Sequence, residues 1–451
     1  MREQVGVLVI GGGMAGLAAG ATVARDGGSV AVVEKGESSG GSAALSVGMF
    51  WAPPDYETLR RRVPLGEARL GKAVVEEYEA AVEEIRGLGI AVGERVSGVM
   101  TVGVGHSIDV RALLDLELEE IERSGGVACG HEIRRLLTDS GAVVGAEVRD
   151  PDGGTSNVLA GATILATGGF QGDSELVGAH MGPNADRMPL RSNTHSTGDG
   201  LRLGLAAGGA NSGAMSSFYG HLVPSPLSGF ETSQYMPLAQ YHSDRCLLVN
   251  AEGRRFCDES QGDEVSNQAL LAQPGARGLL LCDERVRRTR VVSEPFPNAG
   301  LLDRFAEAER AGGRLASADS FAELARRVSD WGFDRRRLER TLENYEAAAR
   351  GETADLDAPL PEEPESLSEP PFYALEVQPT ITFTYGSLRV DASGRVLDRG
   401  GRAVSGLWAA GVDAGGLSNW TYAGGLAPAY ITGRRAARSA LAVEAVRGAA
   451  S

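Results

Sequence analysis

The feature that most constrains the fold is a glycine-rich turn near the start of the chain. The apolar run 5–10 stops at Gly11-Gly12-Gly13, and small apolar residues resume after Gly16. This order predicts a strand, a tight turn and the first turn of a helix. Gly11 permits the turn, Gly13 lets a diphosphate approach the helix N-terminus, and Gly16 lets the helix pack closely on the strand. The pattern predicts a βαβ unit that binds a dinucleotide.

The second strand of this unit ends in an acidic residue. Residues 30–33 are apolar, and Glu34 follows at the spacing expected for a side chain that accepts hydrogen bonds from a ribose. A carboxylate there suits a ribose with free hydroxyl groups and disfavours a 2′-phosphate. Glycine-rich turns also occur in other α/β proteins, but the strand, the helix and Glu34 together favour the nucleotide interpretation.

The size and charge of the chain exclude several classes of protein. Its 451 residues suffice for two or three domains. A formal net charge of −16 without a basic block argues against a nucleic-acid partner. The four cysteines form no CxxC pair, so we expect no metal site and reduced thiols in a cytoplasmic protein. No apolar run is long enough for a bilayer and no signal peptide is evident, so no membrane partner is expected.

A second glycine-rich loop makes a family resemblance specific. The loop after Glu34 is rich in small residues, which indicates close passage of the backbone along an extended cofactor. It resembles the flavoprotein family of fumarate reductase, succinate dehydrogenase and 3-ketosteroid dehydrogenase, on the basis of Glu34, Lys35, Gly40, Gly41, Ser42, Ser46, Gly48 and residues 51–53. The resemblance implies FAD. Covalent members have a flavin-bonding histidine in this loop, whereas this chain has none between Glu34 and Pro53, so it implies non-covalent FAD.

Later segments extend the resemblance over nearly the whole chain. The runs 163–170, 197–200, 406–413 and 419–429 are similar to the family's other FAD-contacting segments. The FAD contacts implied are Gly11, Gly13, Met14, Ala15, Gly16, Glu34, Lys35, Gly41, Ser42, Ser46, Gly48, Ala166, Thr167, Gly168, Asp199, Gly411, Asp413, Leu426 and Ala427. Asp199 is also expected to be the N-cap of its helix. Asp413 would contact the ribityl chain, and the N-terminus of the last helix would face the flavin pyrimidine.

The order of these segments implies an α/β fold with two parts. A Rossmann-like FAD-binding domain with a doubly wound sheet is expected from 1–212 and 366–451. An inserted α+β capping domain is expected at 213–365, where the run 249–259 is similar to the family's cap. The Pro- and Glu-rich stretch 352–371 is interpreted as a linker back to the first domain.

The substrate-binding residues of fumarate reductases are mostly replaced in this chain. Those enzymes need arginines and histidines, because charge-assisted contacts fix an anionic substrate best. By motif matching, Gly262 or Asp263 stands where the proton-donating arginine would be. Phe383 replaces a histidine, and Tyr422 lies near the position of a second arginine. Only His221 falls near a substrate-binding histidine, so dicarboxylate reduction is disfavoured.

Tyr422 and the glycines after it resemble instead a 3-ketosteroid dehydrogenase segment. There, a tyrosine hydroxyl and a backbone N–H polarise a ketone, which stabilises the enolate as an α-proton leaves. The leading hypothesis is an FAD-dependent dehydrogenase or ene-reductase acting on a CH–CH or C=C bond next to a carbonyl, with a cyclic and largely apolar ketone as substrate. Tyr422 is the first candidate for catalysis, and Tyr219, His221, Tyr241 and His242 are candidates for the base or acid.

Two alternatives stay open. The chain could be a reductase or dehydrogenase of a small unsaturated acid, with Arg187 or Arg191 holding the carboxylate. It could also be a non-catalytic FAD-binding or electron-carrying protein. Because only one GxGxxG begins a βαβ unit, no built-in nicotinamide site is evident, and an external electron acceptor or donor is expected.

Overall fold

The chain divides into two compact units. The computed structural model describes residues 4–100, 102–227, 229, 231–294 and 300–450, except for the side chains of 445–450. Unit 1 comprises Met1–Leu176, Ser192–Phe218 and Phe383–Ser451, and unit 2 comprises Val177–Arg191 and Tyr219–Thr382. The functional domain limits expected at residues 213 and 365 remain predictions.

The secondary structure of the described residues alternates strands and helices in unit 1 and is more mixed in unit 2. The strands are β1 (Gln4–Ile10), β2 (Val30–Val33), β3 (Met49–Ala52), β4 (Val96–Val99), β5 (Gly103–Ser107), β6 (Gly126–Ala128), β7 (Glu132–Asp139), β8 (Ala142–Arg149), β9 (Thr155–Leu165), β10 (Phe218–Tyr219), β11 (Leu222–Pro224), β12 (Leu247–Asn250), β13 (Gly278–Cys282), β14 (Val292–Ser293), β15 (Leu302–Asp303), β16 (Leu315–Ala318), β17 (Phe372–Pro379), β18 (Phe383–Thr384), β19 (Arg395–Leu397) and β20 (Ala403–Ala409). The helices are α1 (Met14–Arg25), α2 (Tyr56–Arg62), α3 (Ala68–Gly87), α4 (Val110–Ser124), α5 (Ser174–Met181), α6 (Asp199–Ala206), α7 (Asp263–Leu271), α8 (Glu284–Val286), α9 (Arg304–Arg310), α10 (Phe321–Ser329), α11 (Arg335–Ala349) and α12 (Leu426–Ala450).

Unit 1 is built around a mixed sheet in which the order is β19, β20, β9, β1, β2 and β6. Strand β1 runs parallel to β2 and β9, and β20 runs parallel to β9, while β7 and β8 extend β9 as an antiparallel meander. Helices α1, α4 and α12 bury their apolar faces in one core, where Leu17, Ile121 and Tyr430 are fully buried. Because parallel strands end at the same edge, this sheet brings the loops after β1, β2 and β9 close together. The predicted Rossmann-like α/β fold is confirmed.

Unit 2 is an antiparallel sheet covered by helices. Its strand order is β11, β17, β13 and β12, and β16 also pairs with β17. Helices α10 and α11 pack their apolar residues on one core of this sheet, including Leu324, Leu338 and Leu342. The predicted mixture of helices and strands is therefore present.

The stretch 352–371 does not leave unit 2, in contrast to its interpretation as a linker back to the first domain. Arg255 donates hydrogen bonds to the carbonyl oxygens of Ala358 and Pro359, both at 3.1 Å. The next element, β17, then pairs with β11, β13 and β16 inside unit 2. The Pro- and Glu-rich stretch is therefore an irregular segment that hydrogen bonds attach to the rest of unit 2.

The described residues contain neither a membrane-spanning helix nor a metal cluster. Each helix found there is too short or too polar to cross a lipid bilayer. In the same part of the chain, no group of three or more His, Cys, Asp or Glu side chains is arranged to hold a metal ion.

Candidate functional site

The first glycine turn forms a close-packed cradle at the N-terminus of α1. Gly11 has a φ of +108°, and a methyl group added to it would lie 2.2 Å from the carbonyl oxygen of Ala166. A methyl group at Gly16 would lie 1.8 Å from the carbonyl oxygen of Gly11. At Gly13, in contrast, no heavy atom of the described residues beyond its immediate chain neighbours lies within 4 Å of that position. The turn is therefore tight on the strand side and open at the helix end, where an anionic diphosphate is best stabilised.

The second glycine-rich loop lies directly against this turn. The N–H of Gly40 donates to the carbonyl oxygen of Gly12 at 2.7 Å. Ser42 shares a hydrogen bond of 2.6 Å with Ser192 and accepts another from the Asn193 side chain at 2.9 Å. The two small-residue loops thus form one continuous backbone surface.

Ser46 and Gly48, the last two predicted cofactor contacts of this loop, make contacts within the protein. Ser46 accepts a long hydrogen bond of 3.4 Å from the N–H of Gly48. A methyl group at Gly48 would lie 2.4 Å from the carbonyl oxygen of Ile108, so this glycine is required for packing between the loop and the chain before α4.

Glu34 already binds backbone groups of the cradle. One carboxylate oxygen accepts from the N–H of Gly12 and the other from the N–H of Gly36, both at 2.6 Å. Each oxygen retains a second lone pair, so the side chain can still accept a hydroxyl donor. The sequence predicted the ribose contact but not these two backbone contacts.

Lys35 and Asp199 form an ion pair beside the cradle. The Lys35 ammonium lies 2.6 Å from an oxygen of Asp199 and 2.7 Å from the hydroxyl of Thr197. The prediction that Asp199 caps α6 is wrong, because Gly198 occupies the N-cap with a φ of +86° and Asp199 is the first residue of the helix. Its carboxylate accepts hydrogen bonds from the Lys35 ammonium and, at 3.3 Å, from the Thr197 hydroxyl.

Asp413 is a fully buried carboxylate at the carboxyl edge of the sheet. One oxygen accepts from the N–H of Thr167 at 2.5 Å, and the Thr167 hydroxyl accepts from the N–H of Gly200 at 2.9 Å. Among the described residues, the second Asp413 oxygen has no hydrogen-bond partner. Burial raises the pKa of Asp413 to about 6. Because buried acceptors are almost always satisfied, this oxygen is a candidate acceptor for a ligand hydroxyl group.

The remaining predicted contacts line the same region of unit 1. Ala166 is buried, and Gly168 has a φ of +92° in the turn after β9. The N–H of Gly411 donates to the Thr432 hydroxyl at 2.9 Å. Met14 and Ala15 are the first residues of α1, and Leu426 and Ala427 are the first residues of α12.

Tyr422 lies in an aromatic cluster at the start of α12. Its ring centroid is 5.1 Å from Trp51, 5.8 Å from Phe383 and 6.5 Å from Tyr385. A methyl group at Gly425 would lie 2.9 Å from the Tyr422 hydroxyl oxygen, and α12 begins at the next residue. The hydroxyl group is therefore held beside the N-terminus of a long helix, among apolar rings.

Unit 2 brings together three of the four predicted acid–base candidates. The His221 ring lies 4.9 Å from Tyr219 and 4.7 Å from Tyr241 in edge-on contacts. His221 is completely buried, and burial lowers its pKa. His242 packs instead on Phe305 at 5.8 Å, and burial lowers its pKa to about 3, so it stays neutral.

The contact between Asp263 and His221 was not predicted from the sequence. The Asp263 carboxylate contacts Nδ1 of His221 and accepts the N–H of Leu222 at 3.1 Å and the Ser243 hydroxyl at 3.4 Å. Burial raises the pKa of Asp263 to about 8. No local pattern joins Asp263 to His221, because 42 positions separate them. Motif matching predicts only that Gly262 or Asp263 stands in place of an arginine.

Two arginines complete this cluster. Arg191 donates to the Tyr241 hydroxyl at 3.3 Å, and the Arg304 guanidinium lies 5.7 Å from the centre of the Tyr241 ring. Arg187, the other predicted carboxylate holder, is exposed. We refer to His221, Asp263, Tyr219, Tyr241, Arg191 and Arg304 as the His221 cluster.

The cradle and sheet of unit 1 define a dinucleotide-binding α/β protein. The chain belongs to the FAD binding domain family, which matches it over residues 6–90 and 75–426. The cradle fits such a cofactor, since it offers open space at Gly13 and a buried acceptor oxygen on Asp413. The predictions of FAD as cofactor and of an FAD-dependent oxidoreductase of the dehydrogenase and reductase type are confirmed.

Comparisons with individual proteins place the chain among such enzymes. It is 26% identical to a fumarate reductase (cytochrome) of Shewanella frigidimarina over 94% of this chain and 74% of the relative. It is also 26% identical to 4-oxocyclohexanecarboxylate 2-dehydrogenase of Sinomonas cyclohexanicum over 91% and 88% of the two chains. The structure of 3-ketosteroid-Δ4-(5α)-dehydrogenase from Rhodococcus jostii RHA1 superposes with a TM-score of 0.73, at 20% identity over 97% of both chains. This last likeness confirms the fold.

Proposed function

We propose that this chain forms or reduces a C=C bond next to the carbonyl group of a cyclic, largely apolar ketone. The observation that carries the proposal is the Tyr422 hydroxyl beside the start of α12, surrounded by Trp51, Phe383 and Tyr385. Aromatic rings suit an apolar ring substrate, and a phenol at a helix N-terminus suits a carbonyl oxygen. By their names, the 4-oxocyclohexanecarboxylate 2-dehydrogenase and the 3-ketosteroid dehydrogenase that resemble this chain act on cyclic ketones.

The proposed role of Tyr422 is to stabilise negative charge on the substrate oxygen. Its hydroxyl and a backbone N–H at the start of α12 donate hydrogen bonds to that oxygen. These bonds are stronger to an enolate than to a ketone, so they lower the barrier to loss of the α-proton. FAD held in the cradle would supply the two-electron chemistry, which is the uptake of a hydride from the β-carbon or its delivery in the reverse direction.

The residues proposed to hold FAD surround the cradle. Gly13 and the N-terminus of α1 would take the diphosphate, and Glu34 a ribose. The second oxygen of Asp413 would accept a ribityl hydroxyl, which would satisfy a buried acceptor. The other proposed contacts are Gly11, Met14, Ala15, Gly16, Lys35, Gly41, Ser42, Ser46, Gly48, Ala166, Thr167, Gly168, Asp199, Gly411, Leu426 and Ala427. We further propose non-covalent binding, an external electron partner and a cytoplasmic location, the last supported by four free cysteines.

The His221 cluster favours one second candidate. Arg191 and Arg304 both approach Tyr241, and such a pair of cations could hold a carboxylate. This supports a reductase of a small unsaturated acid, the reaction named for the fumarate reductase relative. The aromatic surroundings of Tyr422 favour the ketone reaction over it.

An anaerobic absorbance titration separates the two functions. Purified oxidised holoenzyme is titrated with cyclohexanone, 4-oxocyclohexanecarboxylate and a 3-ketosteroid, and dithionite-reduced enzyme is titrated with their enones, fumarate and acrylate. Bleaching by a ketone, or reoxidation by an enone, supports the proposal. Reoxidation by fumarate or acrylate alone would replace it with the acid reductase, and a flavin inert to every compound would contradict both.

A further inference from the structure

Unit 1 holds a tryptophan at the tip of a tight turn that directly precedes Tyr422. Asn419 and Thr421 form a β-bridge, so Trp420 lies between them at the tip, where it is 46% exposed. The next two residues, Thr421 and Tyr422, are buried. A single exposed apolar side chain is common on protein surfaces and needs no explanation by itself. The backbone conformation at Trp420 is the feature that calls for one.

The backbone of Trp420 lies in the left-handed region, with a φ of +64°. A bulky side chain in this region costs stability, whereas glycine adopts the same conformation without strain. In the part of the chain that the structure describes, no other aromatic residue has a positive φ. Strain of this kind persists only where the surroundings enforce it, and it is concentrated at functional sites and ligand clamps.

Hydrogen bonds on both sides of Trp420 enforce this conformation. The Asn419 side chain donates to the carbonyl oxygen of Leu65 at 3.1 Å, and the Thr421 hydroxyl donates to the carbonyl oxygen of Arg62. Both acceptors lie at or just after the end of α2, so the turn is attached to the same part of unit 1 before and after its tip. The fold therefore keeps a strained aromatic ring in an accessible position.

We infer that Trp420 is a substrate-binding residue whose indole packs on the ring of the cyclic ketone that Tyr422 binds by its oxygen. This inference rests on the proposed function. Two positions along the chain separate Trp420 from Tyr422, whose own ring contacts Trp51, Phe383 and Tyr385. The flat, exposed indole offers dispersion contacts and apolar area to the body of the substrate, while the phenol donates to its oxygen.

The composition of the turn favours a neutral ring over a small anion. The run 418–424 contains serine, asparagine, tryptophan, threonine, tyrosine, alanine and glycine, and no charged residue. A small unsaturated acid is held best by charge-assisted hydrogen bonds from cationic side chains, which this run does not offer. Trp420 is therefore expected to select for the apolar ring and to take no part in bond breaking.

The first test measures binding without turnover. Dithionite-reduced holoenzyme is titrated with cyclohexanone, 4-oxocyclohexanecarboxylate and a saturated 3-ketosteroid in a calorimeter. The reduced flavin takes up no further hydride, so these ketones bind without reacting. Trp420→Ala should weaken the tightest of them at least about tenfold, whereas Trp420→Phe, which keeps an aromatic ring, should stay within about threefold. Equal affinities of Trp420→Ala and the wild type would overturn the inference.

Leu65→Ala is the matched control for the loss of an exposed apolar side chain. Leu65 is 72% exposed and is bound to the same turn only through its carbonyl oxygen in the hydrogen bond from Asn419. Its substitution should therefore leave the ketone affinity unchanged. A loss as large as that in Trp420→Ala would show that any apolar residue of this surface has the same effect, and it would contradict a specific role of the indole.

Trp420→Gly separates substrate binding from a purely structural role. Glycine adopts a φ of +64° without strain, and this relief offsets the greater entropy that glycine gives the unfolded chain. The urea midpoint of unfolding should therefore not fall, while the ketone affinity falls as in Trp420→Ala. A lower midpoint together with unchanged ketone affinity would assign the indole to packing.

Kinetics with a ketone that bleaches the flavin give a further distinction. Trp420→Ala should raise the ketone concentration at half-maximal rate about tenfold, and the maximal single-turnover rate should fall less than about threefold, since the indole contacts ground state and transition state alike. Tyr422→Phe should do the opposite and lower mainly the maximal rate.

The outcomes distinguish this inference from the proposed function. If ketones bind in a Trp420-dependent manner but none bleaches the flavin, the proposed reaction fails and the role of Trp420 stands. If ketones bleach the flavin and Trp420→Ala behaves as the wild type, the role of Trp420 is wrong and the ketone reaction stands. If no ketone binds or reacts, both are wrong.

Discussion

The cradle of unit 1 is built mainly from backbone, whereas the His221 cluster of unit 2 is built from side chains. In the cradle, Gly11 and Gly16 set the spacing by lacking a side chain, and Glu34 binds the N–H groups of the turns. In the cluster, His221 and Asp263 come from different elements and meet only in the folded unit. A backbone site follows from residues close together in sequence, but a side-chain site depends on the tertiary fold.

The two buried aspartates sharpen this comparison. Asp413 in unit 1 has one oxygen on the Thr167 backbone and one without a partner among the described residues. Asp263 in unit 2 is satisfied by a histidine, a hydroxyl group and a backbone N–H. The first arrangement keeps an acceptor for the ribityl hydroxyl group that we propose there, and the second is complete in itself. Substitutions should therefore affect the two regions differently.

The largest effect is expected at Gly11 in the cradle. Gly11→Ala should lower the free energy of unfolding by about 4 kcal/mol or more, because the new methyl group would lie 2.2 Å from the Ala166 carbonyl oxygen at a φ of +108°. Urea unfolding of both proteins measures the change. A loss below about 1 kcal/mol would show that the turn can relax.

Gly13→Ala is the matched control for this substitution. Apart from the immediate chain neighbours, no heavy atom of the residues that the structure describes lies within 4 Å of the added methyl group, so the free energy of unfolding of the apoprotein should change by less than about 1 kcal/mol. The methyl group nevertheless occupies the space proposed for the diphosphate, so FAD affinity should fall at least about tenfold, equal to 1.4 kcal/mol. Unchanged FAD affinity would contradict the proposal that the diphosphate of FAD binds at Gly13.

The sequence predicted the fold and cradle region better than the cluster. The turn at Gly11, Gly13 and Gly16 is local, so its conformation follows from residue type and spacing. The sequence placed Tyr219, His221 and Tyr241 on one list of candidates, but it could not show their contacts. Asp263 was missed because its partner is 42 positions away, and which distant residues meet is decided by packing. The roles of these residues in catalysis remain predictions.

A pH-dependent stability is expected from Asp413. The folded apoprotein keeps its proton up to a pKa of about 6, whereas the unfolded chain releases it near 3.8. Stability is therefore lost as the pH rises from the lower to the higher value, and this shift corresponds to about 3 kcal/mol. Asp413→Asn, whose amide oxygen can still accept the Thr167 N–H, should lack this loss.

Urea unfolding of the two apoproteins between pH 4 and 7 tests this expectation. Burial also raises the pKa of Glu117, to about 7, and gives a slope of the same sign, but it does so in both proteins. The difference between the proteins therefore isolates Asp413. Equal slopes would mean that its carboxylate is solvated in the apoprotein.

Tyr422 should affect chemistry and not stability. Tyr422→Phe removes the hydroxyl beside α12 but keeps the ring among Trp51, Phe383 and Tyr385. The rate of flavin bleaching by the active ketone should fall about 100-fold, or 2.7 kcal/mol, as when one donor to an oxyanion is removed. FAD content should not change. An unchanged rate in stopped-flow measurements would mean that Tyr422 only packs against its neighbours. Another group would then have to bind the substrate carbonyl.

The smallest effect is expected at Lys35, although its ion pair with Asp199 is the most evident charged contact of the cradle. The ammonium and carboxylate groups are 2.6 Å apart, but both side chains are more than a quarter exposed. Water and salt screen such a pair, and ordering two flexible side chains opposes it, so Lys35→Met should change apoprotein stability by less than about 1 kcal/mol. The remaining difference should decrease further in 1 M NaCl. A larger, salt-independent loss would mean that side chains hold the cradle together as they do the His221 cluster, and the contrast between the two regions would no longer hold.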